Sequence, residues 1–440
     1  MGRGNGSRDR VVIVGGGMAG ARLARALGEA ADAAPAVTVL AEEPHPAYNR
    51  VLLAEVLAGR YPAEVIALPP AGAAVDWRAG ARAVRLNRAR RLVACADGQE
   101  LRYDRLVLAT GSNPVLPPLR GLRPPRGGEL LAGVHPFRTL DDAHALAEAA
   151  RPGVPAVVIG GGLLGVSAAR ALAARGARVL LAHQGQHLME RQLDASAAGL
   201  LRARLAADGV ETHTECRVRA LRGTGAGDAR RVAAVELADG ATLDAELVVL
   251  ACGVRPRVGL AREAGLALGE LGGIAVDDRL TTSDPAVHAL GDCAEHGGLL
   301  YGLAGPAQDQ ADVLASVLTG GRDRYTGTRA LTRLTLSAAP RPTGPASAAG
   351  TPPAETAAAG RPLDVAAFGA PVAEPGDDEV RLTDATRGAY RKLVVRGDRL
   401  RGGILVGDLD GVGALARAWS GDEPLPDTPL LHLLTHDGGL

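Results

Sequence analysis

Two glycine-rich segments of this 440-residue chain have a spacing that suits phosphate binding. The first, GGGMAG, follows the apolar run VVIV and contains Gly15, Gly17 and Gly20. In a G-x-G-x-x-G pattern the first glycine permits a tight turn, the second lets the backbone approach a pyrophosphate, and the third lets helix and strand pack closely. The helix that follows offers free N–H groups and the positive end of its dipole. The segment therefore predicts a dinucleotide site.

An acidic residue at a suitable distance supports this interpretation. Glu42 lies 22 residues beyond Gly20, just past a second predicted strand. A carboxylate at that position can bind the hydroxyl groups of a ribose. The alternative is a glycine-rich turn in a domain that binds no nucleotide, but it does not account for the acid.

The same pattern occurs again in GGGLLG, which contains Gly160, Gly162 and Gly165. The residue after the next predicted strand is His183, 18 residues beyond Gly165. No acid is present there for the ribose hydroxyls, and no arginine follows at once to bind a 2′-phosphate. We predict a second dinucleotide site, and the alternative is a degenerate domain that no longer binds its cofactor.

Short aliphatic and β-branched runs surround both patterns and are typical of buried parallel strands. Each pattern is also followed by a stretch with helical apolar spacing, at 19–27 and up to residue 174. The predicted strands are 11–14, 37–40, 106–109, 157–159, 179–181 and 247–251. We therefore predict the α/β class, with two Rossmann-like three-layer dinucleotide-binding domains and a small α+β C-terminal domain.

The C-terminal part of the chain has a different character. Residues 337–362 are mostly Ala, Pro, Gly, Ser and Thr, so they predict a disordered linker. Residues 390–396 and 400–406 then predict a hairpin around Gly397-Asp398, and 412–419 predict a helix. These elements place the C-terminal domain at 363–440.

Composition excludes several classes of protein. Lys and Arg together number 49 and Asp and Glu also number 49, so a net charge of zero argues against nucleic-acid and membrane-surface binding. The four cysteines have no C-x-x-C spacing, so they predict neither a disulfide scaffold nor a metal site. No apolar run approaches the ~20 residues of a membrane helix, and we predict a cytoplasmic protein.

Five motifs in order resemble the pyridine-nucleotide disulfide oxidoreductase superfamily of flavoproteins over residues 9–325. They are GGGMAG, ATGS, GGGLLG, ACGVRP and LGDCAEH. Three further runs, YNRVLL, LMERQLD and YRKLV, are similar to one branch of it. That branch comprises the flavin reductase half of assimilatory nitrite reductase large subunits, nitrate reductase electron-transfer subunits and rubredoxin reductases.

The resemblance implies FAD at the first pattern and NAD(P)H at the second. It implies an FAD-binding domain at 9–118 and 252–325, and an NAD(P)-binding domain at 119–251. The residues that it implies for FAD are Gly15, Gly17, Gly20, Glu42, Arg50, Val84, Thr110, Gly111, Arg138 and Asp292. Val84 could instead belong to the core, and Arg50 and Arg138 could instead be solvated.

Two departures from the superfamily pattern refine this expectation. The stretch YNRVLLAEVLAG lacks the redox cysteine pair of disulfide reductases, so that activity is excluded, as is a single-cysteine peroxide or oxygen reductase. Ferredoxin-reductase relatives pair a lysine near the flavin with a glutamate, and the matching residues here are Glu55 and Ser167.

The expected function is an NAD(P)H-dependent FAD reductase that passes electrons to a separate redox protein. The expected acceptor is a nitrate or nitrite reductase component, a rubredoxin or a ferredoxin. Arg391, Lys392 and Arg396 are the candidates for a docking face, unless they only solvate a strand. The alternatives are a diaphorase or oxidase, and a flavoprotein that acts as a binding or regulatory module without turnover.

Overall fold

The structure is a computed structural model. It describes residues 9–30, 34–123, 128–225, 230–336, 363–384, 386–407, 409, 412–426, 429 and 434. Its contacts divide the chain into a first unit, Met1–Leu52, Pro62–Asn113 and Val254–Thr328, and a second unit, Leu53–Tyr61, Pro114–Gly253 and Arg329–Leu440.

The strands of both units are numbered here in chain order. They are β1 (Arg10–Val14), β2 (Ala36–Ala41), β3 (Val75–Ala79), β4 (Ala83–Asn87), β5 (Leu92–Cys95), β6 (Glu100–Arg102), β7 (Arg105–Leu108), β8 (Ser112–Pro114), β9 (Val134–Pro136), β10 (Pro155–Ile159), β11 (Arg178–Ala182), β12 (Val210–His213), β13 (Val218–Thr224), β14 (Arg231–Leu237), β15 (Thr242–Asp244), β16 (Leu247–Leu250), β17 (Val254–Pro256), β18 (Ile274–Val276), β19 (Val287–Ala289), β20 (Ala294–His296), β21 (Leu331–Leu336), β22 (Leu363–Gly369), β23 (Asp378–Asp384), β24 (Ala389–Arg396) and β25 (Arg399–Gly407).

The helices follow the same numbering. They are α1 (Met18–Glu29), α2 (Leu53–Leu57), α3 (Leu140–Ala149), α4 (Leu163–Ala174), α5 (Ala195–Ala207), α6 (Gly259–Glu263), α7 (Ala304–Leu318) and α8 (Val412–Gly421). Short 3-10 turns occur at Arg50–Leu52, Ala63–Ile66 and Gly291–Cys293. Among the described residues no helix has the length and apolar character that crossing a membrane requires.

The first unit is built on a parallel five-stranded sheet in the order β19-β7-β1-β2-β3. Its central strand β1 is buried on both faces, which explains why VVIV is continuously apolar. Leu23 and Leu27 of α1 and Leu314 of α7 cover one face. The antiparallel sheet β4-β5-β6 contributes Leu86 and Val93 to the cluster on the other face.

The second unit repeats this plan and adds a further sheet. Its parallel sheet runs β12-β11-β10-β16-β9, and the antiparallel sheet β13-β14-β15 packs on one face through Val218 and Val235. An antiparallel sheet in the order β21-β22-β25-β24-β23 follows in the chain. Phe368 and Leu393 of that sheet pack with Leu415 of α8.

The predicted fold class is confirmed, and each predicted strand lies within a residue or two of an observed one. The predicted hairpin is β24 and β25, which lie at the centre of their sheet rather than alone. The proposed linker 337–362 lies outside the described residues. The predicted domain boundaries, 9–118 with 252–325, 119–251 and 363–440, stay a prediction.

Candidate dinucleotide-binding sites

The first glycine cradle, residues 15–20, joins β1 to α1. Gly15 has a φ of +121°, and a Cβ there would collide with the carbonyl of Ala109. A Cβ at Gly20 would collide with the carbonyl of Gly15. Both positions therefore require glycine because β1, β7 and α1 approach each other so closely.

Gly17, the middle glycine of the first cradle, faces open space. An added Cβ would meet only Arg50 Nε, at 3.9 Å. Gly17 is the N-cap of α1 and supplies no side-chain hydrogen bond to the first turn. An anionic group can therefore reach the N–H groups of that turn, as a pyrophosphate requires.

Glu42 follows directly after β2, as predicted, and its side chain is 41% exposed. Its carboxylate is 2.5 Å from Nη1 of Arg257 and 3.5 Å from Nε of Arg82. The pairing with Arg257 was not predicted, because 215 residues separate the two in the sequence. The ion pair keeps the carboxylate at the sheet edge where a ribose-binding acid belongs.

The ATGS segment joins this arrangement through its backbone and side chains. Thr110 Oγ1 donates to the carbonyl of Arg257 at 2.6 Å, and Gly111 accepts from the N–H of Arg257 at 2.9 Å. Ser112 Oγ donates to Asp292 at 2.8 Å. Thr110, Gly111, Asp292 and Glu42 therefore belong to one connected network in the first unit.

The loop that carries Asp292 is held by α7. Asp292 lies in the 3-10 turn Gly291–Cys293, and Gln310 of α7 accepts the N–H of Gly291 at 2.7 Å. Gln310 is 1% exposed. Sequence reasoning missed Gln310, and the only signal was a polar residue on the buried face of a predicted helix.

The other three predicted FAD residues have separate surroundings. Arg50 forms an ion pair with Glu43 and lies 4.9 Å from the ring of Tyr48. Val84 lies in β4 and is 41% exposed, so the alternative that it belongs to the core is wrong. Arg138 belongs to the second unit, where its N–H donates to Asp142 at the start of α3.

The second glycine cradle, residues 160–165, joins β10 to α4 with the same geometry. A Cβ at Gly160, whose φ is +114°, would collide with the carbonyl of Ala251, and a Cβ at Gly165 would collide with that of Gly160. Gly162 has no atom within 4 Å of an added Cβ and caps α4 without a side-chain hydrogen bond. This cradle also fits a pyrophosphate.

His183 follows β11, as predicted, and is largely buried. Its Nδ1 accepts the N–H of Gly161 at 3.1 Å, and its Nε2 is buried with no hydrogen-bond partner. Burial lowers the pKa of His183 below its ordinary value. The ring therefore packs on the second cradle as a neutral imidazole.

The four cysteines are all free thiols. Burial raises the pKa of the Cys252 thiol to about 11. It also raises the pKa of the other three thiols, those of Cys95, Cys216 and Cys293, above the ordinary value. Cys293 is fully buried and donates to the carbonyls of Leu108 and Leu290 at 3.3 Å. These thiols remain protonated at neutral pH, which makes them poor nucleophiles.

Glu55 and Ser167 are satisfied by near neighbours in the chain. Glu55 of α2 forms an ion pair with Arg60, and Ser167 Oγ donates to the carbonyl of Leu163 at 2.9 Å. Both contacts lie within the second unit.

The expected basic docking face on β24 is wrong for two of its three residues. Arg391 and Lys392 are each 5% exposed. Arg391 donates to the carbonyl of Leu434 at 2.6 Å, and Lys392 lies 2.9 Å from Glu379. Arg391 and Lys392 are consecutive residues, so their side chains lie on opposite faces of the sheet. Both faces are covered there, since Leu434 contacts Arg391 and Asp194 at the start of α5 lies 3.7 Å from Lys392. Arg396, at the strand end, is exposed and pairs with Asp377.

Known proteins resemble this chain over most of its length. The NAD(P)H nitrite reductase large subunit of Klebsiella oxytoca is 34% identical over 402 residues, which cover 89% of this chain and 38% of that protein. The assimilatory nitrate reductase electron transfer subunit of Bacillus subtilis (strain 168) is 32% identical over 410 residues, 91% of this chain and 48% of that protein. The chain therefore spans less than half the length of these two curated relatives.

A solved structure and a family model extend the comparison. The crystal structure of a ferredoxin reductase from Rhodopseudomonas palustris is 25% identical, with a TM-score of 0.77, and 95% of this chain and 96% of that chain are covered. The model of the family described as pyridine nucleotide-disulphide oxidoreductase matches residues 9–311 and includes both glycine cradles. The chain therefore belongs to the pyridine nucleotide-disulphide oxidoreductase family, which confirms the predicted oxidoreductase class and the predicted cofactors, FAD and NAD(P)H.

Proposed function

We propose that this protein is an NAD(P)H-dependent FAD reductase that passes electrons to a separate redox protein. The observation that carries the proposal is the pair of glycine cradles, each with an open middle glycine at an uncapped helix start. One cradle lies in each unit, so each unit can bind one dinucleotide. Bound FAD supplies the redox chemistry, accepting a hydride and releasing electrons singly or in pairs.

The residues of the first unit would bind and orient the flavin nucleotide. We assign the pyrophosphate to the first cradle, the ribose hydroxyls to Glu42, and the ribityl or pyrophosphate oxygens to the Asp292 loop. Arg50, Val84, Thr110 and Gly111 stay predicted FAD residues, as does Arg138, which belongs to the second unit. In the second unit we assign the pyridine nucleotide to Gly160, Gly162, Gly165 and His183.

The state of the thiols supports electron transfer without a cysteine intermediate. A disulfide reductase needs a reactive thiolate, and burial keeps all four thiols of this chain protonated. We therefore propose that electrons leave the flavin directly for the acceptor.

The names of the relatives indicate the class of acceptor. Two of them belong to nitrite and nitrate reductase systems, and the third acts on a ferredoxin. We propose that the acceptor is a nitrite or nitrate reductase component, with a ferredoxin or a rubredoxin as the next candidates. The predicted location in the cytoplasm stays a prediction.

Anaerobic stopped-flow spectroscopy tests the proposal. The purified chain is loaded with FAD, and the decrease in flavin absorbance near 450 nm is followed after mixing with NADH or NADPH. We expect rapid bleaching, followed by reoxidation when an iron–sulfur acceptor protein is added. A chain that takes up no FAD, or whose flavin neither nucleotide reduces, contradicts the proposal.

Two controls distinguish this function from a cysteine-dependent reductase and from an oxidase. Cys293→Ser should reduce and reoxidise its flavin at the wild-type rates, because no thiol takes part; loss of turnover in that variant would indicate a cysteine route. Reoxidation by air as fast as by the acceptor protein would instead indicate an oxidase.

A further inference from the structure

The segment 183–194, HQGQHLMERQLD, places an acid close to the histidine that follows β11. Glu190 lies seven residues beyond His183 in the sequence. Its Oε2 is 3.9 Å from Nε2 of His183, and its side chain is 43% exposed. A carboxylate that the strand end lacks is therefore supplied by the loop that follows it.

The carboxylate of Glu190 is held over the backbone of that loop. Its Oε1 accepts the N–H of Gln186 at 2.8 Å. A Cβ at Gly185 would collide with both carboxylate oxygens, so the side chain lies directly against the glycine backbone. One oxygen is thus anchored, and the other is directed toward His183.

His183 cannot itself accept a hydrogen bond from a ribose hydroxyl group, as a carboxylate would. Its Nδ1 already accepts the Gly161 N–H, so the proton of the neutral ring is on Nε2, which is buried. A donor in that position cannot accept a hydrogen bond from a hydroxyl group. Glu190 Oε2 lies 3.9 Å from this nitrogen, and its carboxylate can accept where the imidazole cannot.

The loop is tied to the second cradle close to Glu190. Met189, 1% exposed, donates its N–H to the carbonyl of Gly161 at 2.9 Å and has a φ of +53°. The N–H groups of Gln192 and Leu193 donate back to the carbonyl of Met189 at 2.8 and 2.9 Å. Glu190 is therefore fixed relative to Gly161, which directly precedes the open glycine Gly162, and little ordering remains when a nucleotide binds.

We propose that Glu190 determines nucleotide selectivity by accepting hydrogen bonds from the adenosine ribose hydroxyls and repelling a 2′-phosphate. The chain is then selective for NAD(H) over NADP(H). This inference rests on the proposed use of the second cradle for a pyridine nucleotide. A carboxylate forms strong hydrogen bonds with a diol, and like charge excludes the phosphate.

Equilibrium binding to the FAD-loaded full chain tests the proposal, with NAD⁺ and NADP⁺ as separate calorimetric titrants. We expect wild type to bind NAD⁺ at least about tenfold more tightly. Glu190→Gln should weaken NAD⁺ binding about tenfold, the scale of a hydrogen bond to a charged group, and should strengthen NADP⁺ binding. Glu190→Arg should reverse the preference, because a guanidinium binds the 2′-phosphate.

Glu148→Gln is the matched control. Glu148 is an exposed residue of α3, the helix after β9, which lies at the opposite edge of the parallel sheet. Its loss of charge should leave the ratio of the two dissociation constants unchanged. FAD content and far-ultraviolet circular dichroism of each variant confirm that it is folded.

The outcomes distinguish this inference from the function on which it rests. Wild type that binds neither nucleotide overturns the proposed function. Wild type that binds NAD⁺, with a Glu190→Gln ratio within twofold of wild type, overturns only the role of Glu190. Tighter binding of NADP⁺ than of NAD⁺ by wild type also overturns it.

Discussion

The two glycine cradles share one backbone design but differ in how a carboxylate comes to lie beside them. In both, the first and third glycines are required by close packing and the middle glycine is open. Beside the first cradle, Glu42 directly follows β2 and pairs with Arg257 from a distant part of the chain. Beside the second, His183 follows β11, and the carboxylate comes from Glu190 in the next loop.

The difference shows which part of a nucleotide site the fold dictates. A pyrophosphate is recognised by backbone N–H groups, so the strand–glycine–helix geometry is enough to predict it. A ribose is recognised by a side chain, and several positions around the strand end can supply that side chain. The selectivity for one nucleotide over another can therefore change while the backbone geometry of the cradle stays the same.

The largest effects are expected from two valine substitutions, one at the middle glycine of each cradle. At Gly17 and Gly162 the φ values are −74° and −77° and an added Cβ meets no close atom, so Gly17→Val and Gly162→Val should both fold. Gly17→Val should abolish FAD binding, and Gly162→Val should abolish NAD⁺ binding while the protein stays yellow. Absorbance spectra and calorimetry measure the two effects. Loss of FAD from Gly162→Val, or wild-type NAD⁺ binding by it, would break the comparison.

A smaller effect is expected from the acid of the first cradle. Glu42→Gln should raise the FAD dissociation constant about 10- to 100-fold, because it removes a charged acceptor for ribose hydroxyls. Flavin fluorescence quenching measures this constant. Glu29→Gln, at the exposed end of α1, removes the same charge and should have no effect. An unchanged affinity in Glu42→Gln would show that Glu42 serves only its ion pair with Arg257.

Acid should affect the sheet of the first unit through a buried histidine. His288 in β19 is 4% exposed, and burial lowers its pKa to about 4. Because the unfolded chain takes up this proton near pH 6.5, stability is complete above that pH and falls as the pH decreases toward 4. The loss should be about 3 kcal/mol at most.

Urea unfolding between pH 7 and pH 4, followed by flavin release, measures this loss. His288→Leu should make the urea midpoint less dependent on pH. His135→Leu is the control: His135 lies in the edge strand β9 of the second unit, so its substitution should leave the pH dependence of flavin release from the first unit as in wild type. An identical pH dependence in wild type and His288→Leu would refute the assignment.

The smallest effect concerns the support of the second cradle. Asp194 caps α5 through the N–H of Ala197, and the fully buried Tyr390 of β24 donates to it at 2.6 Å. Tyr390→Phe should lower the free energy of unfolding by about 1–2 kcal/mol, because it removes a hydrogen bond to a charged group. NAD⁺ binding should weaken a few-fold and FAD binding should not change.

Chemical unfolding and calorimetry measure these two quantities. Tyr325→Phe, which removes a hydroxyl bonded to Thr328 in the first unit, is the control and should leave NAD⁺ binding unaltered. If Tyr390→Phe weakened FAD binding and left NAD⁺ binding unchanged, the hydrogen bond from Tyr390 to Asp194 would not stabilise the second cradle.

Much of the fold could be predicted because its signals are local. VVIV, GGGMAG and the helix after them occupy consecutive positions, and each residue type has a backbone reason to be there. The place of β24 could not be predicted, since a strand with Arg391 and Lys392 in its sequence suggests an exposed face. Both are buried because each face of the sheet is covered at this strand: Leu434 contacts Arg391, and Asp194 and Glu379 lie beside Lys392.

The sequence by itself determined the two cradles, the α/β class and the absence of a C-x-x-C thiol pair, because all three follow from residue type and short spacing. Only the tertiary structure decided which side chains meet. Arg257 reaches Glu42, Ser112 reaches Asp292, and Tyr390 reaches Asp194 across 180 or more residues of chain. Such contacts depend on strand order and crossover connections, which bring distant segments to one sheet edge and which no local pattern encodes.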